Sequence, residues 1–304
     1  MRIVDRLIAT SLPAVPRPLV RHFADRYMAG ETLDDAVETV RSLNSIGAAA
    51  TIDVLGEFVH EAAQSEAMAA QYVETLAAIE REGLDSSVSI KLSALGLEID
   101  EALALRLAGE VVESAASRGA FVRIDMEHSG LTDQTLAIYR TLRERGLENV
   151  GIVLQAYLRR TFDDVHALAD LTPNVRIVKG IYIEPAEIAY TEPALINRNF
   201  IALLRELVGH GCRVAVASHD EALVGEARRL ADERHLGPDR YEFQLLLGVK
   251  EPLRDRLIAA GHRVRIYVPY GEAWYGYSLR RLKENPSIAG YVARDVLRGL
   301  AGRS

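Results

Sequence analysis

The chain has 304 residues, of which 49% are hydrophobic and 26% are charged, a composition typical of a globular protein with a large core and not of a disordered one. Its formal net charge of -7 and pI near 5.7, with no basic run interleaved with aromatic residues, argue against nucleic acid as a partner. Cys212 is the only cysteine, which excludes an intrachain disulfide and a CxxC metal or redox site.

The N-terminal segment, residues 1–45, is predicted to form a helical cap. Apolar residues recur at helical spacing in its second half, at Leu33, Val37, Val40 and Leu43. The start of the chain is interrupted by three prolines and does not resemble a signal peptide. No run of about eighteen apolar residues predicts a transmembrane helix. We therefore expect a protein of a reducing compartment without a membrane span.

Eight short apolar segments follow, separated by longer amphipathic stretches. They read AAATIDVLG, SVSIKLSAL, GAFVRIDME, NVGIVLQAY, NVRIVKGIY, GCRVAVASHD, RYEFQLLLG and HRVRIYVPYG. Intervening stretches such as LTDQTLAIYRTLRERG end on the glycine that commonly follows a helix. Near-continuous apolar strands alternating with helices predict a parallel sheet, and eight units favour a closed (βα)8 barrel over an open doubly wound sheet. We predict an α/β protein in which residues 46–304 form this barrel.

Polar side chains fall near the end of almost every predicted strand. They are Asp53, Lys91, Asp125, Glu127, Gln155, Arg176, Lys179, His219, Glu242, Gln244 and Tyr267. Any one of them has an ordinary explanation as a helix cap or an ion pair. Because the carboxyl ends of barrel strands meet at one rim, their expected convergence favours a functional site there.

Several chemistries fit such a rim. A Schiff-base (class I) aldolase needs a desolvated lysine with an acid nearby, and Lys91 or Lys179 could be that lysine. A non-catalytic barrel that binds a carboxylate is a further alternative. A metal site is not predicted, because His128, His219 and the neighbouring acids show no ligand spacing such as HxxxH.

A series of collinear motifs resembles the proline dehydrogenase family. Between about residues 45 and 290 they read TIDVLGE, SIKLSALG, RIDME, VLQAY, VRIVKGIY, ASHD, YEFQLLLG and YVPYG, followed by YSLRRLKEN. The resemblance implies a distorted (βα)8 barrel that binds FAD at the carboxyl ends of its strands, with a final helix over the barrel mouth. It also implies oxidation of L-proline to Δ1-pyrroline-5-carboxylate, the first step of proline degradation to glutamate. Hydride would pass from C5 to flavin N5, and the electrons would pass to a membrane quinone.

The same resemblance implies roles for individual residues. Arg280 and Arg281 of the final helix, together with Lys91, would hold the proline carboxylate. Glu284 would hold one of the arginines, and Asp125 would pair with Lys91. The substrate ring would be enclosed by Tyr182, Leu246, Tyr267 and Tyr277. Flavin contacts are implied for Gln155, Arg176, Lys179, Ser218, His219, Glu242 and Gln244.

The expected partners and location follow from the same resemblance. Relatives commonly have threonine at the position of Ser218, a small departure in the flavin environment. The chain ends soon after the last motif, so we expect the form without an aldehyde dehydrogenase module. A quinone acceptor implies a cytoplasmic protein with at most peripheral contact at the inner face of the membrane.

Overall fold

The computed structural model describes residues 21, 26–56, 59–275, 277 and 278, in which helices alternate with eight strands. The helices are α1 (Leu33–Ser45), α2 (Ala62–Arg81), α3 (Glu101–Ala116), α4 (Thr132–Glu144), α5 (Thr161–Leu168), α6 (Pro193–Gly209), α7 (Glu221–Glu233) and α8 (Glu251–Ala259). The strands are β1 (Ala49–Val54), β2 (Ser86–Ile90), β3 (Val122–Ile124), β4 (Val150–Gln155), β5 (Asn174–Val178), β6 (Arg213–Ala217), β7 (Tyr241–Leu246) and β8 (Val264–Tyr270).

The strands form one closed parallel barrel in chain order. The barrel is closed by β8, which pairs in parallel with β1 so that Asp53 lies opposite Pro269. The eight apolar segments of the sequence each correspond to one strand, so the predicted (βα)8 class is confirmed. The carboxyl ends of all eight strands therefore face one mouth, where a barrel carries its active site.

Helix α1 covers the seam at which the barrel closes. It begins with a capping box, in which Thr32 Oγ1 accepts from the Asp35 amide and Asp35 Oδ2 accepts from the Thr32 amide. Its buried face, with Ala36 and Val40, packs on β1 and β8 and shares their apolar core. Residues 26–32 form turns and bends rather than the predicted helix. The boundary predicted at residue 45 between cap and barrel stays a prediction.

Apolar strand residues fill the layer between the barrel and its helices. Val88, Ile90, Val122 and Ile124 are completely buried, and burying a side chain of this kind contributes about 1.5–3 kcal/mol to folding. In the part of the chain that the structure describes, no helix combines the length and the apolar character of a membrane span.

The barrel interior is polar, in contrast to the branched apolar layers that usually fill such barrels. Thr51 Oγ1 lies 3.2 Å from Ser89 Oγ, and Arg265 Nε donates to Glu242 Oε1 at 2.9 Å. A polar cavity of about 240 Å³ at the amino-terminal end is lined by residues that include Arg123, Arg265 and Glu242. Every second residue of these strands faces the interior and many of these residues are polar. They form a hydrogen-bonded network from one end of the barrel to the other.

Candidate active site

The mouth of the barrel is organised around a buried ion pair between the first two strands. Lys91 follows β2 directly, and its Nζ lies 2.7 and 2.8 Å from the two carboxylate oxygens of Asp53 on β1. The Asp53 side chain is 1% exposed and that of Lys91 is 17% exposed. The ammonium also lies 3.4 Å from the Tyr267 hydroxyl and 3.9 Å from Asp125 Oδ2. The lysine is therefore fixed in place while part of it still faces the mouth.

Asp125 links this pair to a second cation. Its Oδ1 accepts from Arg176 Nη1 at 2.6 Å, and its Oδ2 accepts from the Tyr267 hydroxyl at 2.9 Å. Arg176 also donates through Nη2 to Ser89 Oγ at 3.0 Å and through Nε to the side-chain oxygen of Gln244. Its guanidinium lies 5.4 Å from the centre of the Tyr267 ring. Five strands thus contribute to one network of two cations, two carboxylates and a phenol.

Burial and the nearby negative charges shift the pKa of Lys91 in opposite directions. Burial by itself lowers the pKa of Lys91, but the carboxylates of Asp53 and Asp125 and the Tyr267 phenol more than offset it, so the pKa lies well above its ordinary value. Burial raises the pKa of Asp53, and the adjacent ammonium opposes that rise. Because Nζ contacts both Asp53 oxygens, we take the pair as ionised. Lys91 is accordingly a fixed positive charge at neutral pH.

The predicted pairing of Lys91 with Asp125 requires a refinement. An ion pair between them exists, but at 3.9 Å it is long, and the short contacts of Lys91 go to Asp53. The physical reason is that the two carboxylates lie at different depths in the barrel. Asp53 lies within β1 and next to β2 in the closed sheet, whereas Asp125 lies beyond the end of β3 and is directed to Arg176.

Gln155 and Lys179 lie on the next two βα units. Gln155 ends β4 and is buried, with Nε2 donating to the Glu127 carbonyl at 3.3 Å. Its Oε1 is buried without a hydrogen-bond partner in the part of the chain that the structure describes. Lys179, which follows β5, donates to Asp220 Oδ2 at 2.8 Å, and Asp220 also caps α7 through the Ala222 amide. One buried acceptor and one anchored cation thus lie at this side of the mouth.

A close packing contact shapes the loop after β5. Gly180 has φ of +107°, and a Cβ placed on it would lie 2.0 Å from Tyr157 Cδ1. Only glycine allows the chain to turn here against the Tyr157 ring. The turn leads into Ile181, Tyr182 and Ile183, which are 46%, 37% and 102% exposed. Large apolar side chains therefore stand at the rim next to the cation of Lys179.

Two contacts of the rim involve Glu127, which the sequence places near a strand end without an individual role, and Glu184, for which it predicts none. The Ser93 amide donates to Glu127 Oε1 at 3.0 Å, and the Ser93 hydroxyl bonds the other oxygen. The amide and hydroxyl of Ser129 donate to the two oxygens of Glu184 at 2.7 and 2.8 Å. Both contacts join loops from different βα units, so only the serines and acids themselves are visible in the sequence. They hold the loops around the mouth in position.

Ser218, His219 and Leu246 make local contacts at the ends of β6 and β7. Ser218 Oγ accepts from the Asp220 amide at 3.2 Å, and His219 Nε2 accepts from the Leu246 amide at 3.0 Å. An accepting Nε2 belongs to the neutral imidazole with its proton on Nδ1. These residues lie at the rim, as expected from their place in the sequence.

Glu242 and Gln244 lie deeper than predicted. Glu242 is near the amino end of β7 and lines the cavity at the opposite end of the barrel, with Arg265 and Arg263 as partners at 2.9 and 3.4 Å. Gln244 is in mid-strand and bonds Arg176. The expectation that Glu242 ends its strand at the mouth is wrong, because the apolar run that suggested a strand end continues to Leu246.

Of the site residues predicted at the C-terminal end of the chain, Tyr277, Arg280, Arg281 and Glu284, the structure describes only Tyr277. Tyr277 is buried and clusters with Tyr27, Met28 and Leu55, residues on either side of α1 and β1. Arg280, Arg281 and Glu284 lie outside the described residues. Among the described residues, then, Lys91, Asp125 and Tyr267 meet directly, Tyr182 lies at the rim, and Tyr277 packs beside the first strand.

Comparison with known proteins relates this geometry to one family. A family model described as "Proline dehydrogenase" matches residues 36–294. The chain is 39% identical over 282 residues to "Proline dehydrogenase" of Deinococcus radiodurans, covering 91% of each chain. It is 36% identical over 275 residues to "Proline dehydrogenase 1" of Bacillus subtilis (strain 168), covering 90% of this chain and 91% of the relative.

A solved structure gives the same result for the fold. Proline utilization A from Bdellovibrio bacteriovorus, inactivated by N-propargylglycine, matches with a TM-score of 0.82 at 26% identity. The match covers 87% of this chain and 33% of that one, so the chain spans about a third of that protein's length.

Proposed function

The chain belongs to the proline dehydrogenase family, and from that premise we propose that it oxidises L-proline to Δ1-pyrroline-5-carboxylate with bound FAD and a quinone as electron acceptor. Proline oxidation, the first step of proline catabolism, is the activity of this family. The observation that carries the proposal is the network of Lys91, Asp53, Asp125, Arg176 and Tyr267 at the barrel mouth.

The charge of this network supports an anionic substrate held jointly with the final helix. Lys91 and Arg176 balance Asp53 and Asp125, so the four charges sum to zero. A substrate carboxylate added to a neutral cluster needs further positive charge. Arg280 and Arg281 would supply it as guanidinium forks, with Lys91 as the third cation and Glu284 holding one arginine.

Tyr267 is suited to position the ring of the substrate. Its hydroxyl is tied to Asp125 and lies within reach of Lys91, which fixes the plane of the phenol. A fixed aromatic surface would hold the proline ring in one orientation and exclude water from it. Tyr182, Leu246 and Tyr277 are proposed to complete the enclosure.

The residues present fit a flavin. The unpartnered Oε1 of Gln155 is a buried acceptor for an N–H of the isoalloxazine edge, and Arg176 and Lys179 offer positive charge for the ring and the phosphates. The exposed Ile181 and Ile183 are apolar surface that a bound ring system would cover. Ser218, His219 and Gln244 are proposed to lie near the cofactor, whereas Glu242 serves the interior network. When bound, FAD would take the hydride from C5 at its N5 position and pass electrons to the quinone.

The aldolase alternative is disfavoured by the state of the two lysines. A Schiff-base nucleophile must be a neutral amine. Lys91 is held protonated by Asp53, and Lys179 is paired with Asp220. Neither lysine has the desolvated, uncharged environment that this chemistry needs.

The absorption spectrum of the purified protein tests the proposal. We expect a flavin band that bleaches when L-proline is added without oxygen and recovers when a soluble quinone is added. Lys91→Met should keep the flavin band and require far more proline to bleach it. A colourless protein that borohydride inactivates in the presence of a keto substrate would overturn the proposal in favour of the aldolase.

A further inference from the structure

Two helices on the outside of the barrel bring together two imidazoles and a carboxylate. Oε1 of Glu206 lies 2.9 Å from Nε2 of His166 and 3.2 Å from Nε2 of His210. The two imidazole rings have their centres 5.4 Å apart and are inclined at 72°. One ligand atom from each of the three residues lies within 4.8 Å of the others. None of the three residues belongs to the candidate active site.

The cluster combines two residues that are close in the sequence with a third from a neighbouring helix. Glu206 lies in the last turn of α6, and His210 follows four residues later as its C-cap, so both side chains share one helix face. The His210 amide donates to the Glu206 carbonyl at 3.0 Å, which fixes the backbone between them. His166 is contributed by α5, which packs against α6. Three donor atoms are thus held together before any ligand is bound.

One of the three donors is left unsatisfied. Nε2 of His210 is shielded from solvent and has no hydrogen-bond partner among the described residues, although it lies 3.2 Å from the Glu206 oxygen. A buried polar atom of this kind is destabilising unless a ligand or hydrogen-bond partner satisfies it. The third member, His166, is 60% exposed in its side chain and leaves the centre of the cluster open to solvent. A small ion could therefore enter from the His166 side.

We propose that His166, Glu206 and His210 bind a divalent transition metal of the Zn²⁺ class. Imidazole nitrogen together with one carboxylate oxygen is a donor set that suits Zn²⁺, and calcium and magnesium prefer oxygen ligands. Zinc bonds of about 2.0–2.1 Å in a tetrahedron separate neighbouring donor atoms by about 3.3 Å. The 2.9 and 3.2 Å contacts are close to that spacing, and water would complete the coordination.

The proposed metal would act as a clamp between two βα units. Helix α5 follows the strand that ends in Gln155, and α6 follows the strand that carries Arg176. A bridge from His166 to the end of α6 ties these units together on the outer surface. Its expected effect is on stability, with proline oxidation unchanged.

Isothermal titration of the tag-free, flavin-loaded enzyme with ZnCl₂ after chelator treatment tests this. We expect one tight equivalent per chain, and a rise in Tm of about 4 °C when free Zn²⁺ is 100 times Kd. His166→Gln and His210→Gln should each weaken this equivalent at least tenfold and remove the rise in Tm. His235→Asn, which removes an exposed imidazole outside the cluster, should keep both, and MgCl₂ should give neither.

A second measurement, with Co²⁺, tests the cluster even if a variant binds zinc at another place. Co²⁺ added to the wild type should give visible absorption bands that are absent in the His166→Gln, His210→Gln double variant. Equal Zn²⁺ stoichiometry and affinity in the wild type and both single variants would overturn the proposal, as would weak binding that no substitution in the cluster changes. Circular dichroism and the flavin spectrum establish that each variant is folded.

Discussion

Lys91 and Asp53 form a two-pronged ion pair in which the ammonium lies 2.7 and 2.8 Å from the two carboxylate oxygens. The pair joins the ends of the first two strands at the centre of the barrel mouth. It fixes the lysine at the mouth, and the carboxylate of Asp53 balances its charge. Substrate binding and stability are therefore expected to depend on the same two side chains.

The first prediction concerns the coupling of this pair. Removing one partner of a buried ion pair costs about 3–5 kcal/mol, because the other charge is left uncompensated. We expect Asp53→Asn to lower the free energy of unfolding by this order in the wild type and by much less in a Lys91→Met background. The same cycle with Asp125→Asn should give a smaller coupling, since its contact with Lys91 is 3.9 Å. Urea unfolding of the variants measures both, and equal losses in the two backgrounds would contradict the assignment.

The second prediction concerns the two arginines proposed to hold the substrate carboxylate. Arg280→Met or Arg281→Met should raise KM for proline strongly and change flavin affinity little. Loss of one charge-assisted partner costs about 1.5–3 kcal/mol, or about tenfold or more in binding. Steady-state kinetics and flavin titration are the measurements. The proposed clamp fails if KM stays within about twofold for both variants.

The third prediction separates the bulk of Tyr267 from its hydroxyl. A phenol over the substrate ring should exclude a hydroxyl on ring carbon C4, so the wild type should prefer proline to trans-4-hydroxyproline by roughly tenfold to two-hundredfold in kcat/KM. Tyr267→Ser should narrow that ratio and lower activity on proline. Tyr267→Phe keeps the bulk but loses the bond to Asp125, so it should lower activity while preserving the ratio. An unchanged ratio in Tyr267→Ser would place the ring of Tyr267 away from the substrate.

The fourth prediction uses the unpartnered oxygen of Gln155. Gln155→Leu should weaken flavin binding by about threefold to tenfold, the effect of one hydrogen bond. The free energy of unfolding of the flavin-free protein should change by less than about 1 kcal/mol, since the substitution also removes a buried polar atom without a partner. Gln134→Leu, on the surface beside Glu101, is the matched control and should leave flavin affinity unchanged. Fluorescence titration with FAD measures the flavin affinity of both variants.

The fifth prediction concerns acid stability. Burial by itself would raise the pKa of Glu242, but Arg265, Gln244 and Arg123 lower it from 4.5 to about 2. Because the folded-state pKa is depressed, the contribution is complete above about pH 4.5 and is lost as pH falls toward 2. At 1.36 kcal/mol per pH unit it amounts to about 3 kcal/mol.

Glu242→Gln should therefore be less stable at neutral pH and should lose less stability between pH 5 and pH 2. Unfolding by urea at a series of pH values measures how the free energy of unfolding changes with pH. Glu148→Gln removes a carboxylate that is 75% exposed and serves as the control for the charge change. If the free energy of unfolding changes with pH in the same way in the wild type and in Glu242→Gln, the assigned partners of Glu242 are wrong.

The barrel could be predicted from the sequence because each βα unit carries its own signal. An apolar run such as NVGIVLQAY is a buried strand wherever it occurs, and the glycine after LTDQTLAIYRTLRERG ends its helix by local backbone preference. The place of α1 is different. Its apolar face is visible in the sequence, but only the closed barrel determines that this face covers the seam between β1 and β8.

For Lys91, Asp125 and Tyr267 a shared place at the mouth could be predicted from the sequence, but the contacts between them could not. Asp53 and Asp125 are both acids near strand ends, and nothing local tells which one reaches Lys91. Depth within the barrel depends on the stagger of neighbouring strands, which is a property of the whole sheet. The same stagger separates Glu242 from the mouth, although its side chain points inward as the alternation of β7 requires.

The parallel pairing of β1 with β8 has a consequence for how the protein is made. Residues 49–54 leave the ribosome long before their partners at residues 265–270, because the other six strands are synthesised between them. Until then the nascent chain is an open sheet with two unpaired edges, which are sites for aggregation and for chaperones. Tyr267 arrives on the last strand, so Asp125 meets its phenol partner only when the ring of strands has closed. A ribosome-stalled chain that ends before β8 should accordingly be protease-sensitive and unable to retain flavin.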